Sequence, residues 1–288
     1  MLSLPNGWRA RSWALLRLFL GAYLALHFAQ LLPWAGEVFA TMGTAPHSPL
    51  FPHVPSPLWL AATPIVATGL VGIGLLASLL LAWGTWDRPA AAVCLWVLAC
   101  LLAANPLILN PALPHVGWML LAQVLLRQPP SLRTLWHDAE AGSDWRLPPE
   151  VFAAGWAVMS LAYTYSAVTK LAAPSWIDGS AMHGVLSNPL ARDHALRTWL
   201  LDQPLLLQLA TWGALGLELL APLGWLSKRL RPWVWTALLA LQLGLLATVD
   251  FADLTWGMLV LQAWTFDPAW LRSLQPRRRG AFATPPPA

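Results

Sequence analysis

Three ionisable residues lie inside strongly apolar stretches of the sequence: His27, Lys170 and Glu218. A charged group within the hydrocarbon of a bilayer costs free energy, so it usually faces a cavity or a partner and often handles protons or ions. We therefore take these three residues as catalytic candidates. Arg17 is a fourth such residue, but it lies near the predicted end of its stretch, where a long side chain can extend to the headgroups.

Lys170 has the most informative neighbours. Tyr163 and Ser166 precede it at positions i−7 and i−4, so all three share one face of a helix. A lysine taken out of water gives up its proton more readily and can serve as a base. Alternatively, Lys170 ends its helix, where a cation stabilises the helix dipole and reaches the headgroups. On the first interpretation, Tyr163 and Ser166 contact a substrate.

Glu218 is predicted to lie about four turns into its helix, too deep for an isolated charge. It can pair with Lys170, pair with His27, or stay protonated and hydrogen-bonded. The sequence leaves open whether this carboxyl group forms a structural ion pair or exchanges protons.

The segment after Lys170 is polar and irregular. Ser175 and Asp178 have the spacing of a capping box, with Asp in place of the usual Glu or Gln. We expect a short helix on or in the outer leaflet, ended by Asn188-Pro189. Asp178 is then either a helix-end residue or a binding residue. The substrate-binding candidates of this segment are Trp176, Asp178 and His183.

The histidines do not form a local metal signature, because no two of them stand three or four residues apart. We predict no metal, although a site assembled from separate loops stays open. Asp250 and Asp253 open the last predicted helix, where acidic side chains favour the helix N-terminus. Six of the seven histidines fall in the outer half or the outer loops: His27, His47, His53, His115, His183 and His194.

The composition indicates that these residues belong to a membrane protein. The chain has 288 residues, of which 57% are hydrophobic and only 10% are charged, whereas a soluble domain carries about 25% charged residues. The sequence predicts an all-α polytopic bundle in one transmembrane domain, 1–272, followed by a basic, Pro-rich disordered tail, 273–288. About eight transmembrane helices are expected, over 12–33, 58–82, 89–105, 113–126, 150–172, 204–226, 232–249 and 254–271.

The basic residues fix the expected orientation. All but three of the 17 Lys and Arg residues fall on one side of these helices, and that side is cytoplasmic by the positive-inside rule. Both termini are then cytoplasmic, and the basic charge reflects topology and not a nucleic-acid partner. The helices over 89–105 and 113–126 either span or form a re-entrant hairpin. We expect Gly69, Gly72 and Gly74 to mark close helix packing, and Trp13, Trp83 and Trp86 to lie at headgroup level.

The run Tyr165–Leu171, followed by Pro174–Gly179, resembles a segment of the HTTM membrane domain of vitamin K-dependent gamma-carboxylases, Y-x-x-G/A-x-x-K-L…W-x-x-G. It is also similar to the bacterial sporulation-delaying protein B group, which helps to mature a secreted peptide toxin. Asn105-Pro106, Asn110-Pro111 and Gly117-Trp118 resemble that bacterial branch. In the carboxylase, a lysine of this segment is the proposed base that deprotonates reduced vitamin K, and Lys170 occupies the matching position.

The buried ionisable residues and the resemblance together leave three functions open. The first is an enzyme in the cytoplasmic membrane of a bacterium that acts on or matures a secreted peptide at the outer face, with a reduced quinone or vitamin K-like molecule as cofactor and Lys170 as base. The second is a non-catalytic maturation factor that holds a peptide toxin or a small partner subunit. The third is a small-molecule transporter. The carboxylase's large lumenal region does not follow the last helix, so we do not expect gamma-carboxylation itself.

Overall fold

The computed structural model describes residues 4–40, 54–106, 110–138 and 140–273. Within these ranges the chain forms helices and no β-strand, which confirms the predicted all-α class. The longer helices are α1 (Ala10–Leu31), α4 (Pro64–Trp83), α5 (Asp87–Ala104), α6 (Leu113–Leu125), α8 (Pro149–Leu171), α12 (Pro204–Leu220), α14 (Arg231–Thr248) and α15 (Ala252–Thr265). The shorter ones are α2 (Ala35–Phe39), α3 (Pro57–Leu60), α7 (Leu132–His137), α9 (Pro174–Ile177), α10 (Ala181–Ser187), α11 (Ala195–Leu201), α13 (Pro222–Leu226) and α16 (Ala269–Ser273).

Five helical stretches are long and apolar enough to cross a membrane. The remaining predicted spans, α6, α14 and α15, are also helical, but each is shorter or less apolar than these five. The chain is therefore a helical membrane protein, and the predicted total of eight spans stays a prediction. The five stretches are Ala10–Phe39, Pro64–Trp83, Asp87–Ala104, Pro149–Leu171 and Pro204–Leu226.

Proline moves two helix boundaries from their predicted positions. The helix predicted over 58–82 begins at Pro64, because the Thr63 hydroxyl accepts the N–H of Val66 and caps it. The helix predicted over 204–226 breaks into α12 and α13 at Ala221, because Pro222 has no N–H to donate. The break falls directly after Glu218, whose carbonyl accepts the N–H of Ala221 instead.

Helix α4 packs against α1 on one side and α5 on the other, and α6 continues the row beside α5. Helix α8 contacts α12, α13 and α15, so it forms the centre of the second half of the bundle. Helix α15 contacts α1, α6 and α8 and joins the two halves. The candidate residues on α1, α8, α12 and α15 therefore lie on helices that pack together.

Only one of the three glycines predicted to mark helix packing does so. A Cβ on Gly74 would lie 2.9 Å from the Phe28 ring, so this glycine receives an aromatic side chain from α1. Among the described residues nothing lies within 4 Å of the same position on Gly69 or Gly72, and the packing role predicted for these two is wrong. The closest approach of α1 to α4 is instead at Gly21, where a Cβ would lie 2.4 Å from the backbone nitrogen of Ala82.

We expect Gly21→Ala to destabilise the protein by about 1–3 kcal/mol, because the new methyl group meets backbone that cannot rotate away. Gly69→Ala is the matched control. It adds the same methyl group to a helix where nothing opposes it, so it should be neutral or slightly stabilising. Unfolding of the purified variants in an SDS titration measures both, and equal stabilities would contradict the close contact.

Arg17 does not extend to the headgroups, as its position had suggested. Its side chain is 1% exposed and its Nη1 lies 2.5 Å from Oδ2 of Asp87. Asp87 opens α5 and is 13% exposed, so this ion pair ties α1 to the start of α5 within the bundle. The Arg17 guanidinium also lies against Gly84, the left-handed residue that ends α4 with a φ of 80°. A Cβ at Gly84 would be 2.7 Å from Nη2 of Arg17. The pair is a buried structural element.

The tryptophans predicted at headgroup level divide into two groups. Trp83 and Trp86 are 70% and 78% exposed, as an interfacial position requires. Trp13 is only 1% exposed, and its indole N–H donates to Oε1 of Gln128 at 3.0 Å. Trp13 is therefore covered by protein, because the polar loop after α6 folds back and supplies its hydrogen-bond acceptor. Its position at headgroup level stays a prediction.

Candidate functional site

Lys170 and Glu218 form an ion pair between α8 and α12. The Lys170 Nζ lies 2.5 Å from Oε1 of Glu218, and the two side chains are 23% and 7% exposed. Of the three states considered for Glu218, pairing with Lys170 is the one that occurs. The second carboxylate oxygen, Oε2, is buried and accepts no hydrogen bond from the described residues. The carboxylate therefore keeps an unused acceptor beside the amine.

The local sequence explains how the two helix ends meet. Lys170 is the last residue but one of α8, where a cation also faces the negative end of the helix dipole. Glu218 is near the end of α12, one turn before the break at Pro222. The predicted helix-end role of Lys170 and its pairing with Glu218 are therefore both realised in one position.

Trp176 completes the surroundings of the amine. Its ring centroid lies 4.6 Å from the Lys170 Nζ, within the range of a cation–π contact. Helix α9 begins after the turn that follows α8, which returns Trp176 over the end of that helix. The Lys170 amine is thus held between a carboxylate and an indole, and it keeps partial access to the outside.

Trp176 also lines a cavity of about 580 Å³. One wall comes from α9 and α10 and includes Ser175 and Val185, and the other comes from α14, α15 and their connection and includes Leu245 and Phe251. A molecule bound in this cavity would contact the same indole that covers the amine. The cavity is mostly apolar with a few hydroxyl groups, which is the common character of a small-molecule site.

Tyr163 lies two helical turns before Lys170 on α8 and is buried in the bundle. Its hydroxyl oxygen accepts Nε2–H bonds from Gln242 of α14 and Gln262 of α15, each at 3.0 Å. Two accepted bonds occupy the lone pairs of a phenol and leave its O–H free to donate. Ser166 is half-buried on the same face of α8, between Tyr163 and Lys170, as predicted. The two glutamines were not singled out in the sequence, although each is an uncharged polar residue within an apolar stretch.

The segment after Lys170, predicted to lie on the outer side, forms two short helices where one was predicted. Ser175 does not cap α9, which begins after Ala173 without a side-chain cap, so the predicted capping box is wrong. Gly179 adopts a φ of 87° and separates α9 from α10. Asp178 lies in this turn, and its Oδ1 accepts the N–H of Ser180 at 2.8 Å. The bonds from Ser180 lower the pKa of the fully exposed Asp178 carboxyl below its ordinary value. Helix α10 ends before Asn188, as expected.

The segment packs against the first half of α12. The indole N–H of Trp212 donates to the carbonyl of Ile177 at 3.1 Å, and the Met182 N–H donates to Oγ1 of Thr211 at 3.1 Å. Asp178 and the exposed His183 line a shallow hollow of about 360 Å³ between this segment and α12. These two candidates lie together, on a different face from the cavity beside Trp176.

His27 is not part of this site. Its Nδ1 lies 3.0 Å from Oδ2 of Asp253, and Asn110 also hydrogen-bonds that carboxylate oxygen. The role expected for Asp253 was only to stabilise the N-terminus of α15 with its negative charge. On α15, Asp253 precedes Gln262 by nine residues, or about 14 Å of helix rise. The three catalytic candidates therefore separate into the Lys170–Glu218 pair and a second cluster around Asp253.

No group of three or more His, Cys, Asp or Glu side chains within the described residues is placed to hold a metal ion. His47 and His53, which entered the metal question in the sequence, lie outside the described residues. The Lys170–Glu218 pair itself can support proton chemistry, since an amine and a carboxyl group in contact can pass one proton between them or to a bound molecule.

No family model, curated protein or solved structure matches this chain.

Proposed function

We propose that this chain is an HTTM-type membrane protein that acts on or matures a secreted peptide at the outer face of a bacterial cytoplasmic membrane, with Lys170 as the base. The observation that carries the proposal is the Lys170 side chain, which stays 23% exposed although its amine contacts Glu218 and Trp176. A purely structural pair gains nothing from such access. A base needs it, because its proton must reach another molecule.

Each residue has a distinct part in this proposal. Glu218 holds the amine in place and provides a second proton-accepting group whose Oε2 is unused. Trp176 orients the amine and presents its ring to the adjoining cavity. Tyr163 is fixed by two glutamines and retains one O–H to donate. Asp178 and His183 line an exposed hollow that suits the polar backbone of a peptide.

The cavity beside Trp176 fits a lipid-soluble quinone-like cofactor. Leu245, Val249 and Phe251 would hold the ring and hydrocarbon parts, and the hydroxyl groups of Ser175 and Thr255 would meet the polar oxygens. Such a molecule supplies electrons and exchanges protons when it is bound. The residues of this chain contribute the apolar walls, the covering indole and the proton-accepting pair.

A non-catalytic maturation factor is the second candidate function. The hollow around Asp178 and His183 favours it, because that hollow could hold a peptide or a partner subunit without any chemistry at Lys170. The two candidates differ in what copurifies in mild detergent. We expect mass spectrometry of the extracted lipids to detect a quinone at a level that falls when Val185→Trp fills the cavity. A stoichiometric peptide or subunit without a quinone would favour the second candidate.

We further propose that the outer segment faces away from the cytoplasm and that both termini face it. The three basic residues assigned to the outside are all neutralised by acidic partners: Lys170 by Glu218, Arg192 by Asp250 and Arg197 by Asp193. The positive-inside rule counts Lys and Arg residues whatever their acidic partners, so the orientation is supported by these three against the 14 on the other side.

Cysteine labelling in intact cells tests this orientation. Cys94 and Cys100 are both 0% exposed, so they add little background. Leu190→Cys should react with a membrane-impermeant maleimide, and Lys228→Cys should react only after the membrane is permeabilised. The reverse labelling pattern would mean that the protein has the opposite orientation in the membrane, and the segment after Lys170 could then not contact a secreted peptide.

A further inference from the structure

A second cavity, of about 430 Å³, lies between α1 and α15. Most of its wall is hydrocarbon and indole, from Phe19 and Leu26 on α1 and from Trp256 and Leu259 on α15. Phe19 and Leu26 are 57% and 64% exposed, so the cavity opens sideways at the surface of the bundle. In a helical membrane protein such an opening faces lipid.

One carboxylate stands in this apolar wall. Asp253 lines the cavity and its side chain is 30% exposed. Behind it, the 4%-exposed His27 places Nδ1 at 3.0 Å from Oδ2, and the 7%-exposed Asn110 bonds the same oxygen. The Tyr23 hydroxyl, which also lines the cavity, lies 3.5 Å from the Asn110 amide. A buried set of polar residues thus fixes one acceptor at the cavity wall.

The chemistry of these groups limits which headgroup an amphiphilic ligand of this cavity can have. A carboxylate offers about four lone-pair sites, and His27, Asn110 and the Tyr23 hydroxyl use three, so a headgroup that donates a hydrogen bond finds an acceptor here. An anionic headgroup would be repelled by the carboxylate. A cationic headgroup would lose its water in this mostly apolar wall, a cost that can exceed its attraction to the carboxylate. A neutral hydroxyl group avoids that cost and still donates a hydrogen bond.

The shape of the cavity indicates what the remainder of such a ligand looks like. Asp253 is at the start of α15 and Ala263, at the far end of the lining, is ten residues further on, or about 15 Å along the helix. A hydrocarbon chain can lie along this length with its headgroup at Asp253. We propose that this cavity binds a neutral, single-chain amphiphile through a hydroxyl group that donates to the Asp253 carboxylate.

The protein contains an internal comparison for this proposal. A groove between α5 and α6 of about 280 Å³ is lined by Leu95, Leu98, Leu102 and Trp118 and has no charged residue in its wall. Hydrocarbon chains should enter it whatever their headgroup. Only the cavity with Asp253 should distinguish one headgroup from another.

Photolabelling of the purified full chain tests this. Three medium-chain probes carry the same diazirine in the tail and differ in the headgroup: a primary alcohol, its methyl ether and a carboxylic acid. We expect the alcohol to label the α1–α15 cavity roughly tenfold more than the ether or the acid, the effect of one hydrogen bond to a charged acceptor. All three should label the α5–α6 groove equally. Mass spectrometry of digested protein locates the labels.

Two variants separate the cavity from the surrounding surface. Ala22 lines the cavity and is exposed, so Ala22→Trp should remove the alcohol-specific labels without disturbing the core. Ala29→Trp places the same residue on α1 at an exposed position outside the lining and should leave them unchanged. Asp253→Asn should reduce the preference for alcohol over ether. Equal labelling by all three probes, or preference for the acid, would overturn the proposal, as would labels that persist in Ala22→Trp.

Discussion

Asp87→Ala should destabilise the protein by about 3–5 kcal/mol, because it leaves a buried guanidinium without its counter-ion. Arg17 is 1% exposed and lies 2.5 Å from the Asp87 carboxylate. The remaining acceptor within reach is the Pro129 carbonyl, at 3.5 Å from the same nitrogen, and it carries no charge. Unfolding of the purified variant in an SDS titration measures the loss.

The double variant Arg17→Met/Asp87→Leu is the control for this prediction. It removes both charges and replaces them with apolar side chains, and such replacements of a buried pair are often neutral or stabilising. We expect most of the lost stability to return. If Asp87→Ala alone unfolds no more easily than the parent, the guanidinium must find water, and the burial of Arg17 described above would be wrong.

The double variant Lys170→Met/Glu218→Gln should abolish the proposed function without unfolding the protein. This variant keeps the approximate size of both side chains and removes both charges. No unpaired charge is left behind, so we expect its stability to stay within about 1 kcal/mol of the parent. The amine that the proposed function requires is absent, and the peptide product should be absent with it.

The exchange Lys170→Glu/Glu218→Lys adds a stricter comparison. It restores an ion pair between α8 and α12, but it moves the amine to the buried end and away from Trp176. A structural salt bridge would work equally well in either direction. We expect stability to recover and function not to recover. Recovery of both would make the pair a structural feature of the bundle.

The helical pattern could be predicted because it depends on composition and local spacing. Apolar stretches, prolines and Asn-Pro pairs located most ends of the long helices to within two residues, whereas the predicted ends at 58, 226 and 271 were each six residues away from Pro64, Leu220 and Thr265. The errors came from contacts between distant segments. Arg17 seemed free to extend outward because nothing in the sequence placed Asp87 beside it, 70 residues away. Gly69 and Gly72 have the spacing of a packing motif but lie on a face of α4 with no neighbour within 4 Å.

The candidate site was predictable in the same limited sense. The spacing of Tyr163, Ser166 and Lys170 placed them on one helix face, and the depth of Glu218 required a partner. Which partner it has depends on how α8 and α12 cross, which no local pattern gives. For the same reason His27 was grouped with Lys170, whereas the packing of α1 on α15 gives it Asp253. Gln242 and Gln262 became informative only when both were found on Tyr163.

The peptide content of the culture medium is the most direct test of the working role of Lys170. The host is compared with a strain lacking this gene, with one producing Lys170→Met/Glu218→Gln, and with one producing Leu161→Ala, which alters a 69%-exposed residue of the same helix. Membrane levels of the protein are matched. We predict that a peptide lost or changed in mass in the deletion strain is equally affected by the double variant and restored by Leu161→Ala. A double variant whose medium matches that of the parent would contradict the account.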